Sequence, residues 1–158
     1  MRRDFKHILF EKMSKNKDII LLTGDLGFGF LDRIRDELPD QFINVGSAEF
    51  LMVGIGNGLA LSGKIPICHS ITPFILWRAA EQHRLYLNHE SIPVKLLGSG
   101  RGQDYKEDNY SHDATDDKQF LSILPNIKGF WPETVEELPA MTEEWLYNGK
   151  PSYLNLKR

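Results

Sequence analysis

Apolar positions along the chain follow two alternating rhythms. Phe5, Ile8, Leu9 and Met13 recur at helical spacing, whereas Asp18-Ile19-Ile20-Leu21-Leu22 is a short, nearly unbroken apolar run of the kind that forms a strand buried on both faces. Gly24 ends that strand. The spacing then predicts a short helix from Leu31 to Leu38 stopped by Pro39, a strand over Gln41 to Val45, a Gly-rich helix from Glu49 to Leu61 and a strand over Ile65 to Cys68. A helix from Pro73 through Asn88 and a strand over Val94 to Leu97 follow, then a long polar loop. A helix over Asp117 to Leu124, a short strand at Asn126 to Lys128, a helix from Glu133 to Tyr147 and a strand over Ser152 to Leu156 complete the pattern.

Apolar strands separated by helices predict an α/β fold with a mostly parallel, doubly wound sheet flanked by helices, because crossover helices hide both sheet faces from water. The alternation runs from end to end without a linker or repeat, so residues 1–158 are expected to form a single domain. Open parallel sheets bind ligands beyond the carboxyl ends of their strands. The segments falling there are 23–30, 46–49, 69–74 and 98–112, which hold most of the unusual polar and glycine residues.

Composition narrows the function classes. The chain has 158 residues, 41% hydrophobic and 26% charged, with 19 Lys+Arg against 22 Asp+Glu mixed along its length and a formal charge of −3. That balance argues against a dedicated nucleic-acid binder. Its apolar runs are far shorter than the ~20 residues of a membrane span. Cys68 is alone and cannot form an internal disulfide, and the start Met-Arg-Arg-Asp-Phe lacks the apolar run of a signal peptide, so a cytoplasmic location is expected.

The motifs are individually weak. Thr23-Gly24-Asp25-Leu26-Gly27-Phe28-Gly29 is a Gly-rich turn after a strand, without a third glycine at the spacing a dinucleotide cradle requires and without a following Gly-Lys-Ser/Thr. Glu49 lies in the first turn of a helix, where a carboxylate can simply complement the dipole; under a partner it could also hold a raised pKa and donate a hydrogen bond. Gly54, Gly56 and Gly58 burden a buried helix by ~1 kcal/mol each. They either pack it on its own sheet or admit a second polypeptide. His83 and His89 stand on different helix faces and no second cysteine exists, so no metal site is expected. The acidic stretch from Asp104 to Asp117 lacks the glycine and glutamate of a calcium loop, and its charges are expected to be solvated.

Taken together and in order, these segments resemble the pyrimidine-binding domain of the transketolase family, in particular the small subunit of split transketolases. The resemblance is carried by Gly24-Asp25-Leu26-Gly27, by 42–49 running into Met52-Val53-Gly54-Ile55, and by 58–66. It continues through Pro73-Phe74 with Arg78-Ala79-Ala80-Glu81-Gln82, Pro93-Val94-Lys95-Leu96, and 111–117 ending at Leu124-Pro125-Asn126. It implies a transferase that uses thiamine diphosphate, with this domain holding the aminopyrimidine ring and a diphosphate-binding subunit holding the diphosphate through Mg2+. In such an enzyme a two-carbon ketol unit passes between sugars. Glu49 then matches the family's glutamate, which hydrogen-bonds the pyrimidine N1′ atom so that the 4′ nitrogen can remove the thiazolium proton. Phe74 matches the aromatic that stacks on the pyrimidine, with Arg78 among the cofactor-binding residues. His112 matches the histidine near the 4′ amino group and the substrate hydroxyls, and Asp108 an aspartate that reads the donor. Asp25 and Leu26 would lie beside the thiazolium end.

Two departures stand out. The family's Asp-Gly-Pro-Thr-His is replaced by Asp108-Asn109-Tyr110-Ser111-His112, after an unusually charged stretch from Arg101 to Glu107. The donor and acceptor therefore need not be pentose phosphates. The family's metal motif, Gly-Asp-Gly with a downstream Asn, is missing, and the chain stops at Arg158 where the family usually continues into a carboxy-terminal domain. The expectation is half of an active site, completed in a heterotetramer or similar oligomer. Two other readings keep this resemblance: a decarboxylating carboligase of the deoxyxylulose phosphate synthase type, and a non-catalytic assembly or regulatory domain.

Overall fold

A computed structural model describes all residues, 1–158. Six parallel strands form one sheet in the order β2-β1-β3-β4-β6-β5: β1 (Ile19–Thr23), β2 (Phe42–Asn44), β3 (Ile65–Ile71), β4 (Lys95–Ser99), β5 (Lys128–Phe130) and β6 (Ser152–Leu156). The expected doubly wound α/β architecture is the one observed. Side chains alternate across the sheet, so Leu22, Cys68 and Leu96 enter one core while Leu21, Ile67 and Leu97 enter the other. The first core is roofed by helices α3 (Glu49–Leu61), α4 (Thr72–Trp77) and α6 (Asp117–Ser122), the second by α1 (Arg2–Lys15), α2 (Asp32–Glu37) and α7 (Leu138–Tyr147).

Gly56 shows why α3 carries glycines. A Cβ there would stand 2.8 Å from Cys68 Sγ and 3.4 Å from Val94, so the missing side chain lets the helix close on its own sheet. Gly54 faces Gln82, and Gly58 has nothing within 4 Å.

Three expected elements differ. The helix from Pro73 to Asn88 is broken into α4, α5 (Ala80–Gln82) and a π-helical segment His83–His89. The reason is His83, whose buried Nε2 donates to the Ile75 carbonyl at 2.7 Å and so occupies an acceptor of the helical ladder. The helix expected from Glu133 starts at Leu138, because Pro139 lacks an N–H and fits only a first turn. The strand expected at 126–128 lies at Lys128–Phe130, since Ile127 N–H bonds the Leu124 carbonyl and Asn126 N–H bonds Asn88 Oδ1, holding the preceding residues in a turn. No helix is long and apolar enough to cross a membrane.

Candidate active site

The strand order reverses between β1, whose next neighbour in the chain is β2 on one side, and β3 on its other side. Crevices at such a reversal, beyond the strand carboxyl ends, are where open α/β sheets take ligands. Gly24 leaves β1 there, Asn44 ends β2, and α3 begins at Glu49. The Glu49 carboxylate is 2% exposed, covered by its own chain rather than awaiting a partner to bury it. Its Oε1 accepts from Ser70 Oγ at 2.8 Å and its Oε2 from Arg78 Nη1 at 2.9 Å. A buried carboxylate costs several kcal/mol without such donors. The pair is lopsided, for the Arg78 side chain is 46% exposed and forms the solvent side of the contact. Gly24 keeps the other flank bare: a Cβ there would stand 3.4 Å from Glu49 Oε1.

Phe74, on α4, joins this group. The Arg78 guanidinium carbon lies 3.7 Å from its ring centroid, and the His112 ring meets it edge to face at 4.8 Å. His112 Nδ1 is 2.9 Å from Ser111 Oγ. Beyond it, 6.1 Å between centroids, is Tyr105, whose hydroxyl accepts from Arg2 Nη1 at 3.1 Å; the same Arg2 nitrogen donates to Ser99 Oγ at 2.9 Å. A cavity of about 490 Å³ opens beside Phe74 and Arg78, walled by Trp77, Tyr110, Ser111 and Asp113 among others.

The structure thus brings Glu49, Phe74, Arg78 and His112 into one contiguous group. Asp25 and Leu26 sit on the adjoining β1 loop. Asp25 takes a left-handed backbone, φ 58°, held by Asn44: its N–H donates to Asn44 Oδ1 at 3.0 Å and its Oδ1 accepts from Asn44 Nδ2 at 3.2 Å. Leu26 is half-buried and its carbonyl accepts from Thr23 Oγ1. Asp108 is exposed on the turn before His112, its carbonyl accepting from Ser111 Oγ. Asn109, standing where the family motif has Gly, adopts φ 62° and ψ −164°, a region almost confined to glycine.

Ser70, Asn44, Tyr105 and Arg2 were not singled out by the sequence. Ser70 left a signal, a polar residue late in a buried strand; Arg2 and Tyr105 left none, being 103 positions apart. One expectation about the acidic stretch is corrected: Asp117 is buried, not solvated, because Trp131, Tyr153 and Asn155 all donate to its Oδ2. Neighbouring histidines are structural. His69, back to back with Ser70, donates through Nδ1 to the Leu97 carbonyl and burial pushes it down to about 4; His83 is pushed down to about 4 for the same reason. Burial likewise drives the Cys68 thiol up, leaving it unreactive. No three His, Cys, Asp or Glu side chains converge on a point where they could hold a metal ion.

Fold and site together make a comparison with known proteins specific. The six-stranded parallel sheet with its ligand edge at the strand reversal makes this a doubly wound α/β domain. Residues 1–158 match the family described as "Transketolase, pyrimidine binding domain", and the chain belongs to that family. It is 30% identical over 159 residues to the 6-deoxy-6-sulfo-D-fructose transketolase subunit of Clostridium sp. (strain MSTE9), covering 100% of this chain and 49% of that one. It is 32% identical over 120 residues to an apulose-4-phosphate transketolase subunit of Actinobacillus succinogenes, covering 76% of this chain and 39% of that one. Among solved structures, "Split gene transketolase, inactive beta4 tetramer" superposes with a TM-score of 0.86 at 27% identity, over 99% of this chain and 50% of that chain. The chain therefore spans about half the length, or less, of the curated relatives it matches.

Proposed function

We propose that this chain is the pyrimidine-binding subunit of a split, thiamine diphosphate-dependent transketolase that moves a two-carbon ketol unit between sugars. The observation that carries the reading is the buried Glu49 carboxylate, gripped by Ser70 from within and by a solvent-facing Arg78 that also covers the Phe74 ring and, with it, lines an open cavity. These residues fit the cofactor's pyrimidine: a buried acid, an aromatic face, and a bare glycine flank at Gly24. When bound, thiamine diphosphate supplies the nucleophilic carbon that takes up the ketol unit. Glu49 would hydrogen-bond the pyrimidine nitrogen while Ser70 keeps its other oxygen oriented. Arg78, covering both Glu49 and the Phe74 ring, would be displaced by the incoming ring. His112, in contact with Phe74, would face the substrate hydroxyls with Asp108, and Asp25 and Leu26 would border the thiazolium end. Mg2+ and the diphosphate would be held by a separate subunit.

Two further observations support this assembly and its substrate class. Phe28, Phe50, Leu51, Trp77 and Tyr110 are all exposed around the carboxyl edge, an apolar rim suited to a covering subunit. Arg2, Arg3 and Lys6, none with a carboxylate partner, line a cavity of about 310 Å³ against Phe28 and Phe30, which favours a sugar bearing an anionic group. The two relatives named above carry a sulfo and a phosphate sugar in their names.

The test mixes this chain with a diphosphate-binding subunit, thiamine diphosphate and Mg2+, and measures ketol transfer. Glu49→Gln should lower the rate ~10²–10⁴-fold, as loss of a proton-transfer partner does. An unchanged rate would overturn the assignment. Ketose donors run against pyruvate separate this reaction from decarboxylating carboligation.

A further inference from the structure

The loop from Gly100 to Asp116, between β4 and α6, carries Asp108 and His112. Its limbs touch through the Ala114 N–H to Gly102 carbonyl bond, 2.8 Å, and through Gln103 Nε2 to Asp113 Oδ2, 3.2 Å. Beneath it lies a buried polar cluster that the proposed chemistry does not use. Thr72 Oγ1 donates to the Gly100 carbonyl at 2.6 Å and stands 3.3 Å from Asn155 Oδ1. Asn155 Nδ2 donates to Asp117 Oδ2 at 2.6 Å, and the same oxygen accepts from Trp131 Nε1 at 2.7 Å and Tyr153 OH at 3.3 Å. Thr72, Asp117 and Asn155 are all buried. The cluster has room because β4 carries Gly98, where a Cβ would stand 2.7 Å from Thr72 Oγ1 and 2.8 Å from Tyr153 OH.

What these residues join is informative. Gly100 is the first residue of the loop, Asp117 is the first residue beyond it, and Thr72 opens α4, the helix that presents Phe74. We propose that Thr72, Asn155 and Asp117 form a positioning clasp that ties both ends of the His112 loop to the first turn of the Phe74 helix and so sets the 4.8 Å contact between the two rings. The physical basis is that a buried network holds one geometry only while every member is satisfied; removing the Thr72 hydroxyl leaves the Gly100 carbonyl a buried acceptor without its donor and frees one limb of the loop. The inference rests on the reading of Phe74 and His112 as site residues.

Thr72→Val keeps the shape of the side chain and removes the hydroxyl, while Thr72→Ser keeps the hydroxyl. In hydrogen exchange on the purified chain, Thr72→Val should speed the amides of residues 101–113 about tenfold and leave the central strands unchanged, and Thr72→Ser should retain the native pattern. In the assembled complex Thr72→Val should raise the donor KM about tenfold with kcat within about threefold, again restored by Thr72→Ser. Native exchange in Thr72→Val, or equal loosening in both variants, would overturn the clasp. A wild-type complex without ketol transfer would instead defeat the functional reading, and the exchange result would still decide whether the clasp exists.

Discussion

The two ends of the same sheet bury charge in different ways. At the amino edge the single buried charge is Lys95, whose ammonium donates to Asn148 Oδ1 at 2.8 Å and to the Lys150 carbonyl at 2.6 Å. Both acceptors belong to the turn between α7 and β6. At the carboxyl edge Asp117 is enclosed by its own donors in the same way, but Glu49 is held by buried Ser70 on one side and by half-exposed Arg78 on the other. A charge whose partners are all fixed inside the protein is a structural device. One whose counter-ion faces solvent can be handed to a ligand, because exchanging an exposed guanidinium costs little compared with unpairing a buried group.

This contrast can be broken in several places. The largest effect expected is the loss of ketol transfer in Glu49→Gln, against no loss in Lys95→Met; a comparable loss in both would erase the distinction between the edges. Next comes acid. His69 and His83 are pushed down to about 4 by burial, so the unfolded chain, titrating near 6.5, binds protons before the folded one. The stability they contribute is complete above pH 6.5 and is lost as pH falls through about 4, by up to about 3 kcal/mol each. Urea midpoints taken between pH 7 and pH 4 should fall accordingly, and a flat profile would contradict the burial of both rings. Lys95 acts at the other end of the scale. Burial lowers it to about 8, so its contribution rises between pH 8 and 10.5 and is lost as pH falls through 8. Lys95→Met should remove that segment of the profile, up to about 3 kcal/mol, and leave the acid branch as it was. Smallest is Asn109→Gly: relieving the backbone at φ 62°, ψ −164° should add about 1 kcal/mol to stability with little change in rate, and a destabilised variant would show that the Asn side chain contributes more than its backbone strain costs.

Much of this was legible from residue order. The helix and strand rhythms located the sheet, and the clustering of glycines and polar residues at strand ends pointed to the edge where the candidate site lies. The Gly-Asp-Leu-Gly turn, the approach to Glu49 and the Arg78 segment pointed to a family without any coordinates. What stayed hidden were pairings across long stretches of chain: Ser70 and Arg78 meet Glu49 from 21 and 29 positions away, and Asn155 meets Thr72 from 83. Asp117 reads as one more acid in a charged run until β6 folds beneath it.

Sequence alone therefore determined the alternation of elements and the parallel α/β architecture, because periodicity and turn chemistry are local properties of the backbone; the acid, the aromatic and the histidine came forward as candidates only through a resemblance spread over the whole chain. Tertiary structure decided which charges are buried and what holds them. It set Arg78 over both Phe74 and Glu49, ended α4 by lending Ile75 to His83, and turned an acidic loop end into an internal anchor. Those outcomes depend on desolvation, which belongs to the packed chain and to no segment of it.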